Sequence, residues 1–482
     1  MANTLPPNTL IPGTIADVTI VSGNLAPVND QVLLIGQMSM SGVATDGQIV
    51  PVFTEADAIL YAGGGSPLHL AARSAFEANP SVNLSLLCIA DSTSYSKTSW
   101  TLAVTSAPTT QQIFNIYIDD TIIPINIPAN FGTTGNVASY ICSQIGQYVP
   151  ELPIIADVGG SSIDISSVVS GTIGNYIRVA TDPITTPFFT LTKVTATGVF
   201  GLGTYTTPGT YAATIATCSH SVLVNVLGDS TSVNTINTIL NFRSGPTEQN
   251  YGMQFVAYND LQYATPALAV TFAQSVNSPR LSIGYIQYVT GTIPKSSATA
   301  LSGAYGAMIP IRSNITVNVP YTNMAMTGIV PCAVNDEFTG SAEQYLIAGG
   351  VTPFNVQPGQ QVVIIKACTT NTLTSAGNLN YDLLNVGTQR QIDYISTQLT
   401  AGVENNFSNS VANDRTLASI CSNLFNTTVI LEANNLLQNT GNYRSGIIAV
   451  YDNINIGQVD VTIPIQLVNG LFVTLLNIQV NI

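Results

Sequence analysis

At 482 residues the chain is too long for one simple core, and two to four domains are expected. Only 8% of residues are charged, against roughly 25% in ordinary soluble domains, so Asn, Gln, Ser and Thr must provide the polar surface. Such a surface loses little desolvation energy on meeting another protein, while a net charge of −14 with twelve basic residues spread singly disfavours nucleic-acid binding.

Residues 1–28 are proline-rich and alternate weakly at Ile15, Val18 and Ile20, the pattern of an extended arm. The start Met-Ala-Asn-Thr-Leu-Pro-Pro has neither a basic nor an apolar signal region, so no signal peptide is expected. Val32–Gly36 reads as a buried strand. Ser66 is placed to cap a helix with Pro67 at its first position and Leu68, Ala71, Ala72, Ala75 and Phe76 on its apolar face. Leu84–Ala90 completes a βαβ-like unit. Glycines 63–65 precede the helix, but no Lys follows Ser66 and no GxGxxG is formed, so they read as a tight turn rather than a phosphate cradle.

From about Trp100 the texture changes. Ile113, Ile116 and Ile118 lead into a turn at Asp119-Asp120, with Ile122–Ile127 returning. A helix follows on Val137, Ile141, Ile145 and Tyr148, then strands at Ile154–Val158 and Ile163–Val169. This is a β-rich insertion with one helix, and Thr195–Thr210 leads back. It reads as an outward domain whose deletion should leave polymerisation intact. Beyond it, apolar runs at Val222–Leu227, Phe255–Tyr258, Leu281–Tyr288, Ile315–Val319 and Val362–Ala367 alternate with helical stretches near 231–242, 265–277 and 296–308. That alternation predicts an α/β layer with a largely parallel sheet. Helices are also expected at 341–348, 388–402, 415–425 and 428–437.

The end of the chain is the most informative stretch. Val459, Val461, Ile463, Ile465 and Leu467 share one face of an extended strand, and Pro464 marks an edge. Asn469-Gly470 is a two-residue hairpin signal, and Phe472, Leu476, Ile478, Val480 and Ile482 alternate beyond it. A two-stranded ribbon is marginal alone, so it must dock on its own sheet or on another molecule's. The alternating polar residues and missing flanking cations argue against a membrane anchor.

Candidates for chemistry are few. The histidines are His69, inside a predicted helix, and His220, in Cys218-Ser219-His220-Ser221; no GxSxG elbow or P-loop occurs. Asp119-Asp120 and Asp336-Glu337 read as turns rather than acid/base pairs. Six widely spaced cysteines show no metal spacing and read as reduced thiols. No catalytic residue, metal or cofactor is expected, and the chain reads as non-enzymatic.

Several blocks, in order, resemble the contractile tail sheath proteins of Mu-like and related phages. They are Leu33–Gly36 with Glu55-Ala56 and Gly65–Leu68, Gly171-Thr-Ile-Gly-Asn175, Tyr321–Pro331, Asp336–Thr339, Ala348–Pro353, Val362–Thr370 and Leu384–Ile395. The resemblance implies an α+β or α/β multidomain protein: a core sheet subtilisin-like in fold but without the triad, an inserted β-rich domain, and extended N- and C-terminal β-arms. The division it gives is an arm (1–28), the first part of the core (29–98), the insertion (99–195), the α/β core (196–370), a helical part (371–445) and a closing hairpin or arm (446–482). It further implies six-fold rings stacked helically around an inner tube, contracting to drive that tube through a host envelope. Arm strands carrying Val459, Val461, Ile463, Ile465, Leu467, Phe472, Leu476, Ile478 and Val480, with a neighbour's Ile15, Val18 and Ile20, would join subunits around a turn at Asn469 and Gly470. Expected partners are other copies of the chain, a tail tube protein, and baseplate and terminator proteins, with neither nucleic acid nor direct membrane insertion; the place is the virion, after assembly in the host cytoplasm. Relatives often carry basic residues where only Lys366 is positive between Arg312 and Arg390, so polar contacts are expected to replace a charge-based grip on the tube. The alternatives left open are another tube- or shell-forming protein and an atypical hydrolase using His220.

Overall fold

The computed structural model describes residues 30–184, 187–245, 248–289, 294–313, 319–357, 359, 361–407, 409–452 and 458–470. Two compact units divide within one helix: among the described residues, one holds 30–393 with Asn469 and Gly470, the other 394–468.

The first unit begins with β1 (Val32–Gln37), β2 (Ile49–Val52), α1 (Glu55–Ala62), α2 (Pro67–Ala78) and β3 (Leu84–Ile89). Helix α1, not foreseen from its composition, is started by a capping box in which Thr54 and Asp57 each accept the other's backbone N–H. Helix α2 starts as expected, with Ser66 Oγ accepting the His69 N–H and Pro67 in the first turn. β1 and β3 pair in parallel, Val32 opposite Leu84, so the βαβ unit is real.

The chain then leaves the sheet for a segment with its own core. Its elements are β4 (Ser99–Val104), β5 (Gln112–Ile118), β6 (Thr121–Ile127), α3 (Thr134–Gly146), β7 (Ile154–Gly159), β8 (Ser162–Ser167), β9 (Val179–Thr181) and β10 (Phe189–Val194). They form sheets in the orders β10-β4-β8-β7 and β6-β5-β9. Trp100, Leu102, Phe114, Ile116, Ile125, Ile141 and Ile165 pack together between them. β4 and β10 are direct neighbours, Ser99 opposite Val194, so the segment leaves and returns at one place.

The main sheet resumes with α4 (Tyr211–Thr217), β11 (Val222–Asn225), α5 (Ser230–Arg243), β12 (Met253–Tyr258), α6 (Pro266–Val276), β13 (Leu281–Tyr285) and α7 (Ala298–Ser313). It ends with β14 (Thr322–Met326), α8 (Gly340–Ala348), β15 (Val351–Gln357) and β16 (Gln361–Lys366). Nine strands lie in the order β14-β16-β15-β13-β12-β11-β1-β3-β2. From β15 to β3 neighbours are parallel; β16 and β14 on one side and β2 on the other are antiparallel additions. The expected α/β layer is therefore present. The run at Ile315–Val319 lies almost wholly outside the described residues, and the edge strand observed is β14. β15 was hidden by Gly349-Gly350, which closes α8 and starts the strand without a linker.

Helices α2 and α7 cross tightly because Gly303 has no side chain: a Cβ there would meet the Ala71 carbonyl oxygen at 2.1 Å. Leu68, Ala71, Ala72, Ala75, Ala300, Leu301 and Ala304 fill the contact. These small residues let the helices sit close and hydrogen-bonded backbone pack without voids.

Helix α9 (Val386–Phe407) spans the division between the units, and α10 (Asp414–Ala433), α11 (Thr440–Tyr443), β17 (Ile448–Tyr451) and β18 (Val459–Thr462) make up the rest of the second. The two helices expected at 415–425 and 428–437 are one. Leu417, Ile420, Leu424, Thr428 and Leu431 form an uninterrupted buried stripe. The gap expected at residues 426–427 is helical: Thr427 and the adjoining Thr428 donate their hydroxyls to the carbonyls of Asn423 and Phe425 at 3.1 and 2.7 Å.

Candidate assembly interface

Within the stretch singled out at the end of the chain, β18 pairs with an upstream strand, and the residues beyond Gly470 that the turn signal would bring back lie outside the described residues. β18 pairs antiparallel with β17, Ile448 opposite Thr462, Ala449 opposite Val461, Val450 opposite Asp460 and Tyr451 opposite Val459. The strand stops at Thr462, before Pro464, which cannot donate to a ladder. The described part of the closing hairpin thus lies in cis with residues 448–451. The sequence carried that signal too, in the β-branched run that follows Gly446.

Side-chain exposure gives the ribbon two unlike faces. Ala449, Val459 and Val461 are half-buried, with β17 packed on α10. Ile448, Val450, Asp460 and Thr462 are exposed, and the two aliphatic residues are 53% and 51% accessible. Both outer edges lack a third strand among the described residues. An isolated ribbon of four residue pairs is marginal in water, and an unpaired edge is a template for another strand. Its shape therefore offers backbone donors and acceptors along two edges and an apolar stripe on one face.

The ribbon is held in place from below. The Leu467 carbonyl accepts from Gln438 Nε2 at 2.9 Å, and the backbones of Leu437 and Leu467 form a bridge. Gln466 O accepts the Gln438 N–H at 2.9 Å, and Val468 donates to Leu436 O at 3.2 Å. A Cβ on Gly446 would meet Pro464 at 2.6 Å, so the approach to β17 packs directly on the segment that leaves β18. Tyr451 donates to Asp414 Oδ1 at 3.2 Å. Only seven of residues 394–468 are charged, which keeps desolvation on contact small.

Of the other arm residues, Ile463 is half-buried and Ile465 is 37% accessible, both outside a strand. Asn469 and Gly470 are described, but the turn expected there runs on into Leu471, which lies outside the described residues. Ile15, Val18, Ile20, Phe472, Leu476, Ile478 and Val480 lie outside the described residues, as does Ile482.

Neither histidine is set up as a base. His69 is buried, accepts the Gly65 N–H at Nδ1 (3.1 Å) and faces Glu55 at 3.4 Å; burial pushes its pKa down to about 4. His220 is pushed down to about 4 by burial and by Arg243. Asp119 occupies the first position of its turn with φ of 50°, as the turn reading required. The six thiols are unpaired, and among the described residues no set of three His, Cys, Asp or Glu side chains gathers as metal ligands. No described helix is long and apolar enough to cross a membrane.

A wide mixed sheet, a β-rich insertion and a small helical unit carrying an open ribbon together define a class: this is the fold of tail sheath proteins from contractile injection systems. The sheath tail protein of Desulfitobacterium hafniense aligns over 95% of this chain and 97% of its own at a TM-score of 0.50 and 12% identity. The helical sheath of the anti-feeding prophage in its contracted state aligns over 98% and 100%, again at 0.50 and 12%. In sequence, the Mu-like prophage FluMu tail sheath protein of Haemophilus influenzae is 22% identical over 391 residues, covering 80% of this chain and 77% of the relative. No family model matches. The resemblance read from the sequence is borne out by these relatives, and since they are sheath proteins the non-enzymatic reading agrees with them.

Proposed function

We propose that the chain is the structural subunit of a contractile tail sheath, polymerising as stacked six-fold rings around an inner tube and contracting to drive that tube through a host envelope. The observation that carries the reading is the β17–β18 ribbon, whose two edges carry no third strand among the described residues, on a fold shared with sheath proteins. In this reading the terminal segments 1–28 and 471–482 of neighbouring copies add strands to the ribbon edges, so that Ile15, Val18 and Ile20 of one copy meet Val459 and Val461 of the next. The partners are then the chain itself, a tube protein, and baseplate and terminator proteins, in a particle assembled in the host cytoplasm. The parallel sheet serves as a subtilisin-like scaffold without catalytic residues. The insertion is a separate domain of about residues 99–195, with polar contacts replacing a cationic grip on the tube.

The energy source is assembly itself. The extended sheath is a kinetic trap, and contraction lowers free energy as each subunit gains interface while strand-exchanged arms keep the mesh joined. Electron microscopy of the purified full chain tests this: rings or tubes are expected, and monomers under every condition would overturn it. Chains lacking residues 1–28 or 471–482 should keep the fold by circular dichroism and lose the tubes. A chain lacking both that still forms contractile tubes would remove the strand-exchange part of the reading.

A further inference from the structure

The β5–β6 turn makes one of the buried contacts of the insertion with the parallel-sheet part of its unit. Asp119 is only 5% accessible. Its backbone N–H donates to Arg178 O at 3.0 Å, and its carbonyl accepts the Lys295 N–H at 3.0 Å, just ahead of α7. Among the described residues its carboxylate accepts one hydrogen bond, at Oδ1 from the Arg178 backbone N–H at 2.8 Å. The side chain borders a crevice at the carboxyl ends of β11 and β12, walled by Leu70, Ile173, Val226, Tyr258 and Ser302.

The seam around it is charged, yet two of its cations are engaged by other acids. Arg73 on α2 pairs with Asp120 at 3.1 Å, and Lys295 pairs with Asp260, beyond β12, at 3.1 Å. The guanidinium of Arg178 faces both Asp260 and Asp119, Lys193 on β10 faces Asp119 from further off, and Glu77 on α2 faces Arg73 and Asp120. A second acid in one turn beside Asp120, with a single hydrogen bond among the described residues and a mostly apolar crevice beside it, is poorly provided for as an anion.

We propose that the Asp119 carboxyl is a proton-operated latch holding the insertion on the parallel-sheet core: protonated it stays seated in the seam, and ionised it loosens the turn. Burial is the largest influence on this group and pushes its pKa up to about 7, with Asp120 adding to the rise and the Arg178 N–H and the charges of Arg178 and Arg73 working against it. In the undocked turn the group faces water and ionises as an ordinary carboxylate. Undocking therefore releases a proton between roughly pH 4 and pH 7, and docking weakens as pH rises through that window and levels off above it. The position of the insertion is thereby coupled to proton concentration without any change in the two cores.

Hydrogen exchange of the full-length chain reads the latch directly, at the backbone N–H of Lys295, which is bonded to the Asp119 carbonyl across the seam. After correction for intrinsic rates, the opening constant should rise about fiftyfold from pH 5 to pH 7 and level off within about a unit above that. The Asp119→Asn chain should keep the low-pH value throughout. Wild type and Asp119→Asn sharing one profile, or an opening constant independent of pH in wild type, would overturn the proposal. Should the variant not fold, a carbon-13 titration of Asp119 in the wild-type chain decides: a midpoint near 7 supports the latch, and one near 4 ends it.

Discussion

Asp30 and Asp119 are both buried acids, and their surroundings give them opposite pH signatures. Asp30 accepts two contacts of 2.5 Å from Arg390 Nη2 and one of 2.7 Å from Ser221, with Ser313 also donating. Burial works against its charge, but Arg390 and the two hydroxyls outweigh it and hold the carboxyl below its usual value. A carboxyl lowered in the folded chain contributes stability above the ordinary carboxylate range, and that stability is lost as pH falls through the lowered value. Removing one partner of a buried pair leaves the other uncompensated, so Asp30→Ala should cost about 3–5 kcal/mol in urea unfolding at pH 7. His69 and His220, both held neutral by burial, also weaken the fold as pH drops from the ordinary histidine range towards about 4. Asp119 works the other way over nearly the same interval, but as one group against two histidines, so Tm should rise modestly as pH goes from 5 to 6.5. A fall of Tm over that interval would contradict this balance.

At the scale of elements, the legible parts were those whose local signals and burial agree. Ser66-Pro67 with an i, i+3, i+4 apolar stripe gave α2, and the buried strands of the parallel sheet showed as short apolar runs. What the sequence hid had its cause in tertiary contact. α1 has a strong cap and an unremarkable face, and α10 runs through two threonines because its buried stripe continues. The ribbon pairing was missed since Asn469-Gly470 outweighed a partner strand eleven residues upstream of Thr462 at its nearest end, Tyr451. Gly303 makes a test of the α2–α7 crossing. Alanine favours a helix over glycine by about 1 kcal/mol, yet the 2.1 Å approach to the Ala71 carbonyl should win, and Gly303→Ala should destabilise by about 1–3 kcal/mol in denaturant unfolding. On the ribbon the separation runs the other way. Ile448→Lys with Val450→Lys should shift stability by less than about 0.5 kcal/mol each, since both side chains are half-exposed, but should abolish tubes in electron micrographs. Tubes formed as readily by this double variant would free the exposed face from any role.

At the scale of the whole molecule, sparse charge and open edges belong together. A chain with 8% charged residues has few groups to desolvate when copies meet, and few to hold it apart before they should. The fold class and non-enzymatic character were readable in composition and block order, whereas the ribbon proposed as an interface depended on a pairing that no periodicity specifies. The adjacency of Ser99 and Val194 has a consequence of a different kind, in time rather than in space. β1 cannot gain its neighbour β11 until Val32 meets Val222, a contact across a long loop that slows nucleation. The insertion closes its own ends as it folds, which removes about half of that loop from the search and lowers the closure cost by about 0.6 kcal/mol. Weakening its core with Ile165→Ala should therefore retard the refolding of the main sheet, read as slower recovery of protection in β1 and β11 by pulsed hydrogen exchange. During synthesis the insertion emerges before β11 exists, so the segment that interrupts the sheet in sequence is the one that prepares it to close.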